Sequence, residues 1–373
     1  MTEQEQFDER FNSEYEKKQP NYDEHVNIAL VGKVSSGKSS FLNAILGCDR
    51  SDPVAKVSPE SGATTEPTPY KLDENVLIVD CPGLDDINEK NVKEAENFLN
   101  SIDIGIFVVT GSADKSQKAN YDNLAKHCKK IILVLNKIDE WDDLEDSALE
   151  DVQRQWKVAL GADNIFGCCT KGYDPRLRAN APMDLRGIDK IRDEIFRFLE
   201  QEKKAILFAK HLRNKSAYAN KIILAALAAV AAEAFIPGST AYITATQVVA
   251  ISSLNYLYTG EILSKSTALG LLPRFVGQAL GANAYIFAKS FLPPNGVLDL
   301  AAAVIAVTIT FAMLAAIKWA FENNHGLNDT DFLKKSFNDF RSRGNQELKN
   351  CSLSDFTDTE RLMSIFTRLL SAK

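Results

Sequence analysis

The sequence predicts two unlike parts: an α/β domain on a mainly parallel sheet with helices on both faces, followed by an all-α apolar helical domain. Three observations predict it. Between His25 and about Glu200, short apolar runs alternate with segments of helical periodicity. From Ile222 to Ile317 only six of 96 residues are charged (Glu233, Glu261, Lys265, Arg274, Lys289 and Asp299), whereas the whole chain is 25% charged. A length of 373 residues also accommodates two or three domains.

Four apolar runs carry the α/β prediction: VNIALVG, VLIVDCPG, IGIFVVTG and IILVLNK. Runs of that length, rich in Val and Ile, suit strands buried on both faces, as in a parallel sheet covered by helices. The first run leads directly into GKVSSGKSS, Gly32 to Ser40, which satisfies G-x-x-x-x-G-K-[ST]. Glycines at Gly32 and Gly37 let the backbone approach a phosphate closely, so that the N–H groups around Ser35, Ser36 and Ser40 can surround it. The helix that follows adds its N-terminal partial charge. Lys38 is expected to reach the β and γ phosphates, and the Ser39 hydroxyl to ligate Mg²⁺.

Two further motifs follow in order. DCPG places Asp80 where a carboxylate can serve Mg²⁺, and Gly83 where an N–H can meet the γ-phosphate. NKID supplies Asn136, Lys137 and Asp139 at the end of another strand. A carboxylate at Asp139 can accept from both guanine N1–H and the exocyclic amine, a donor pair that adenine lacks. The set therefore predicts GTP/GDP with Mg²⁺ as the bound species. SADK, Ser112 to Lys115, is a decoy because it lacks the asparagine.

Over residues 25 to 200 these motifs resemble the P-loop GTPase family, of Era-like, dynamin-like or immunity-related type. The resemblance implies GTP hydrolysis to GDP and phosphate. It implies a switch threonine in ESGATTEPTPY, Thr65 rather than Thr64, as a second Mg²⁺ ligand and catalytic partner of Lys38. It also implies a base-capping loop, here Cys169, Thr170 and Lys171. One departure stands out: Leu84 follows the DCPG glycine where Ras-like members carry a water-orienting glutamine. Leucine cannot hydrogen-bond water, so turnover by the isolated chain is expected to be slow, with Asp85 and Asp86 read as acidic surface residues.

The segment from Lys203 to Lys221 carries six basic residues, and no acid stands between Glu202 and Glu233. Such a run suits an anionic surface, each cation being worth up to about 1 kcal/mol there. Beyond it, Leu300 to Ile317 contains no charge over eighteen residues, about 27 Å of helix against a hydrocarbon core of ~30 Å. Its eight Leu, Ile, Val and Phe residues contribute only about −2 to −5 kcal/mol toward insertion. The pattern of apolar segments with IPG and PPNG breaks resembles a GTPase-associated helical domain of bacterial proteins, which implies membrane association. The tail from Glu322 reads as two short amphipathic helices, with Asn328 and Ser354 as caps.

Net charge of −7 argues against nucleic acid as a partner. Six cysteines without a CxxC pair predict neither a disulfide framework nor a zinc site, and the polar first residues are not a secretory signal. The expected organisation is an N-terminal polar helix or extension (1–24), a nucleotide-binding domain (25–200), a basic connecting helix (201–221), an apolar membrane-associating helical domain (222–325) and C-terminal amphipathic helices (326–373). The expected function is a GTPase coupled to membrane lipid at the cytoplasmic face, with nucleotide-dependent homo-oligomers. The alternatives are a soluble Era-like GTPase in ribosome or RNA assembly, or a slow GTP sensor that binds protein partners.

Overall fold

A computed structural model describes residues 2–57, 67–81, 83, 97–178, 180–236, 238–275, 300–348 and 358–371. The chain divides into two compact units, one of residues Asn21–Arg213, the other of Met1–Pro20 together with Asn214–Lys373.

The Asn21–Arg213 unit is a six-stranded sheet: β1 (Val26–Val31), β2 (Thr68–Lys71), β3 (Val76–Cys81), β4 (Ile102–Val109), β5 (Cys128–Leu135) and β6 (Phe166–Gly167). Their order is β2-β3-β1-β4-β5-β6, parallel except for β2, which runs antiparallel to β3. The four apolar runs are β1, β3, β4 and β5, and every residue of β4 is buried. The sequence pattern does not announce β2, because Pro69 donates no ladder hydrogen bond and suits only an edge. At two residues, β6 is too short to show a period.

Helices α2 (Lys38–Leu46), α3 (Lys118–His127), α4 (Asp146–Leu160), α5 (Ile188–Gln201) and the short α6 (Ala205–Ala209) complete the unit. Apolar residues spaced three and four apart on α5, Ile188, Ile191 and Ile195, are buried. From the same helix Arg192 donates to the carbonyls of Ala44 and Ile45, both at 3.0 Å, supplying charge and hydrogen bonds to the C-terminal end of α2. Fully buried Trp156 on α4 donates Nε1–H to the Gly111 carbonyl at 2.8 Å and so fixes the loop after β4.

The expected basic connecting helix over 201–221 does not form. Residues up to Arg213 stay in the sheet unit, and a new helix starts at Ser216. Three of its six cations are held in ion pairs: Lys204 with buried Asp103 at 3.0 Å, Lys210 with Asp73, and Arg213 with Asp52 at 2.5 Å. Part of the charge that reads as available for an anionic surface is thus used to close the sheet unit.

The second unit is all helical: α1 (Glu3–Lys18), α7 (Ser216–Glu233), α8 (Ser239–Thr259), α9 (Lys265–Phe275), α10 (Leu300–Glu322), α11 (Thr330–Leu348) and α12 (Thr359–Ser371). The helix within the first 24 residues is α1, and residues up to Pro20 belong to this unit. Helix α1 buries Phe7, Phe11 and Tyr15, one stripe at i, i+4 and i+8, and packs against α8. Its Lys18 forms a 2.5 Å ion pair with Glu233, whose carboxylate also accepts from Thr246 Oγ1 at 3.0 Å. The acid that interrupts the apolar run is satisfied by residues from two other helices.

Helix α10 contains the uncharged eighteen-residue stretch. It is the centre of a helical core: 78% of its apolar window is buried, and Phe311 packs on Phe366 at 4.8 Å and edge-on to Phe340 at 6.0 Å. Of its two threonines, Thr310 is served internally, donating to the Ala306 carbonyl at 2.8 Å and accepting from Gln247 at 2.9 Å, whereas the buried Thr308 hydroxyl makes no hydrogen bond. The apolar side chains of this helix are spent on protein packing. Among the described residues two helices, α7 and α10, are long and apolar enough to cross a membrane by length and composition. In the tail, Asp329 rather than Asn328 caps α11, accepting from Phe332 N–H at 3.1 Å. Asp358 accepts from Arg361 N–H in the same way, and Ser354 lies outside the described residues.

Candidate nucleotide-binding site

Strands β1, β3 and β5 run parallel, so the loops after Val31, Cys81 and Leu135 leave the same edge of the sheet. That edge is where parallel α/β sheets bind ligands. Between β1 and α2 the backbone turns through left-handed conformations at Ser35 (φ 65°) and Gly37 (φ 87°). A Cβ on Gly37 would lie 2.3 Å from Asn136 Nδ2, and one on Gly32 would lie 2.2 Å from the Val108 carbonyl oxygen. Both glycines are required by close approach and not by the turn alone.

Lys38 is only 4% exposed. Its Nζ donates to the carbonyls of Gly32 at 2.9 Å and Lys33 at 3.3 Å, and lies 3.6 Å from Asp80 Oδ1. Ser39 Oγ donates to Asp80 Oδ2 at 3.2 Å. Asp80 is fully buried and its Oδ1 accepts no hydrogen bond. Burial pushes its carboxyl above the usual range, opposed by the Lys38 charge and the Ser39 hydroxyl. A buried carboxylate oxygen without a hydrogen bond, next to a serine hydroxyl, is the donor chemistry of a hard divalent cation, so Ser39 and Asp80 fit Mg²⁺. Ser36 and Gly83 are buried nearby in sequence order, and Ser40 is buried in the first turn of α2. Thr64, Thr65, Leu84, Asp85 and Asp86 lie outside the described residues.

At the other end of the site Asn136 joins three loops. Its Nδ2 donates to the Ser36 carbonyl at 2.9 Å. Its Oδ1 accepts from Thr170 Oγ1 at 3.1 Å and from Cys168 Sγ at 3.5 Å. One Nδ2–H remains for a base edge. Lys137 takes a left-handed conformation at φ 61° and turns the chain so that Asp139 follows. Asp139 accepts from Cys169 Sγ at 3.3 Å and pairs with Lys171 Nζ at 3.4 Å. Burial pushes the Cys169 thiol up to about 12, which keeps it a neutral donor. The loop that position alone assigned to the base therefore meets both specificity residues of NKID.

Sequence reasoning missed the supports of this loop. Cys168 reads as a small buried residue, which it is, yet its thiol also serves Asn136. Arg50 donates to the carbonyls of Gly172 at 2.7 Å and Ala181 at 3.1 Å, and Arg186 forms a two-bond pair with Asp142 at 2.8 and 2.6 Å. No local motif marks these arginines. The decoy SADK also has a structural use: Asp114 pairs with Lys33 of the phosphate loop, and the Lys33 hydrogen bond holds the carboxyl down to about 2.

A parallel sheet with this loop set at one edge defines a P-loop guanine-nucleotide-binding domain, and the chain carries a P-loop GTPase domain. Residues 27–137 match the family of 50S ribosome-binding GTPases. GTPase Der of Campylobacter fetus is 30% identical over 185 residues, 47% of this chain and 35% of that protein. The tRNA modification GTPase MnmE of Campylobacter jejuni is 37% identical over 125 residues, 31% of this chain and 27% of its own length. GTPase Era of Lacticaseibacillus paracasei is 31% identical over 124 residues, 30% of this chain and 39% of its own length. The chain thus spans well under half the length of these relatives. Among solved structures, Era in complex with MgGDPNP and nucleotides 1506–1542 of 16S ribosomal RNA aligns at 20% identity and a TM-score of 0.33, over 47% of this chain and 57% of that one.

Proposed function

We propose that this chain binds GTP through the loops described and hydrolyses it to GDP and phosphate, and that the cycle serves an RNA-linked task in the cytoplasm. The observation that carries GTP binding is the Asn136 amide, which locks the phosphate loop at Ser36 to the base loop at Thr170. On this reading Gly32, Ser35, Ser36, Gly37 and Ser40 form the phosphate cradle, with Lys137 and Lys171 flanking the base. Asp139 accepts from the guanine edge. Lys38 leaves the Gly32 carbonyl for the phosphates, where its ammonium opposes developing charge. Ser39, Asp80 and Thr65 would hold Mg²⁺, which would neutralise phosphate charge when bound. Gly83 offers its N–H to the γ-phosphate. No side chain at Leu84 orients water, so hydrolysis depends on a partner or on self-association.

The RNA-linked part is supported by the names of the relatives, a tRNA modification GTPase and a family described as ribosome-binding. It replaces the expectation of no nucleic-acid partner. A net charge of −7 is a whole-chain sum, and it says nothing of a local basic face.

A membrane-coupled GTPase of dynamin-like type is the second reading. It is favoured by α7, of whose apolar window only 39% is buried, and by Phe235 and Ile236 just after it, 40% and 42% exposed. Single-turnover GTP hydrolysis with ribosomal subunits, with tRNA and with anionic liposomes separates the two. Acceleration by a ribosomal subunit or tRNA is expected. Acceleration by liposomes alone, with flotation of the chain, would overturn the RNA-linked reading in favour of the second, and no hydrolysis in any arm would remove the enzyme assignment.

A further inference from the structure

Within the helical unit, α7, α10, α11 and α12 line a half-open cleft of about 410 Å³, inside the range of roughly 300–1,000 Å³ of small-ligand sites. Its lining is not that of a packing defect. Asn220, on α7, has a buried Oδ1 that accepts no hydrogen bond. Lys318, on α10, is 7% exposed, and among the described residues its ion-pair partner is Glu322 at 3.2 Å. An ammonium has three N–H donors, so one partner leaves donors over. Trp319 follows it and presents an indole 42% exposed in the same wall. Asp339 and Arg343, four apart on α11, line the opposite side.

We propose that this cleft is a second nucleotide site, for a nucleoside monophosphate whose base carries an exocyclic amine. The base stacks on Trp319, as aromatic side chains take bases in single-stranded recognition. Its amine donates to Asn220 Oδ1, satisfying the orphaned acceptor. The ribose hydroxyls donate to Asp339, and the phosphate accepts from Lys318 and Arg343. Each of these groups answers a group in the wall. A purely apolar ligand would leave Asn220 Oδ1 without a donor and the remaining Lys318 N–H groups unused, and a bare anion would make no use of the indole.

The inference does not depend on the GTPase reading, and its test keeps the two apart. The full chain, first saturated with GDP, is titrated with AMP in a calorimeter. Asp139 selects guanine, so AMP does not displace GDP, and one AMP per chain is expected. Trp319→Ala removes an exposed side chain without disturbing the core and should weaken AMP binding roughly tenfold or more. Lys318→Met and Asn220→Leu should weaken it as much, with thermal unfolding checking that each variant folds and GDP binding unchanged in all three. Absence of AMP binding at millimolar concentration overturns the proposal, as does binding that survives Trp319→Ala. Inorganic phosphate competing as well as AMP would also overturn it, by reducing the site to an anion hole. Failure of the first step, no GDP bound, would count against the GTPase reading alone.

Discussion

Asn136 and Ser36 stand 100 residues apart and share a buried 2.9 Å hydrogen bond, side-chain amide to backbone carbonyl. The same amide oxygen accepts from Thr170, so one side chain fixes the distance between the loop shaped for phosphates and the loop shaped for a base.

Replacing Asn136 with Ala should therefore act on both ends of the ligand. The Ser36 carbonyl and the Thr170 hydroxyl lose their partner while buried, at a cost of about 1–3 kcal/mol in the stability of the domain. Affinity for GTP and GDP should fall together. Fluorescent-nucleotide titration and thermal unfolding check the two parts, and an unchanged melting temperature would contradict the joint role.

Asp139→Asn should change which base is bound more than how tightly a phosphate is held. The carboxylate accepts from two guanine donors, whereas an amide offers one acceptor and one donor. GTP affinity should drop about a hundredfold or more. Xanthosine triphosphate, with a carbonyl where guanine has its amine, should gain. Competition of the two nucleotides on the variant measures the swap.

Asp73 gives the sheet unit a defined response to acid. Burial pushes its carboxyl up, but hydrogen bonds from Lys210 and the Asn75 N–H, with the nearby His211, outweigh burial and leave it below the usual value. A depressed pKa favours the ionised native form. Its contribution is complete above the unfolded-state value of about 3.9 and is lost as pH falls through the lower folded value. Chemical unfolding at a series of pH values should show stability declining below about pH 4, and Asp73→Asn should flatten that decline.

Lys18→Met should destabilise the helical unit while sparing the nucleotide site. Glu233, 8% exposed, would keep a buried charge without its counter-ion. The expected loss is about 2–4 kcal/mol, somewhat under that of a fully buried pair because Lys18 is partly exposed. Glu233→Gln on the same background should recover part of it. Differential scanning calorimetry with and without GDP reads the two units separately, and a loss confined to the nucleotide-stabilised transition would refute the assignment.

The core of the nucleotide site was legible because its chemistry is local. Gly32 to Ser40, Asp80 to Gly83 and Asn136 to Asp139 are short runs at the ends of strands that announce themselves by apolar composition. What was not legible depends on long-range pairing. The counter-ions of Lys204, Lys210 and Arg213 are Asp103, Asp73 and Asp52, each far away in sequence, so a run of cations looked free. The setting of helix α10 stayed open because apolar composition does not say whether lipid or protein covers it. Only its partners, such as Phe366 and Gln247, decide that.

The pairing of Lys18 with Thr246 spans 228 residues, and the whole sheet unit is written into the chain between them. During synthesis at about 5–20 residues per second, α1 emerges on the order of ten to forty-five seconds before the helix it packs against. Through that interval Phe7, Phe11 and Tyr15 have no native surface to cover them. The nascent chain must carry an exposed aromatic stripe past a folding G domain, which makes the first twenty residues the natural point of chaperone engagement and the place where misassembly would begin.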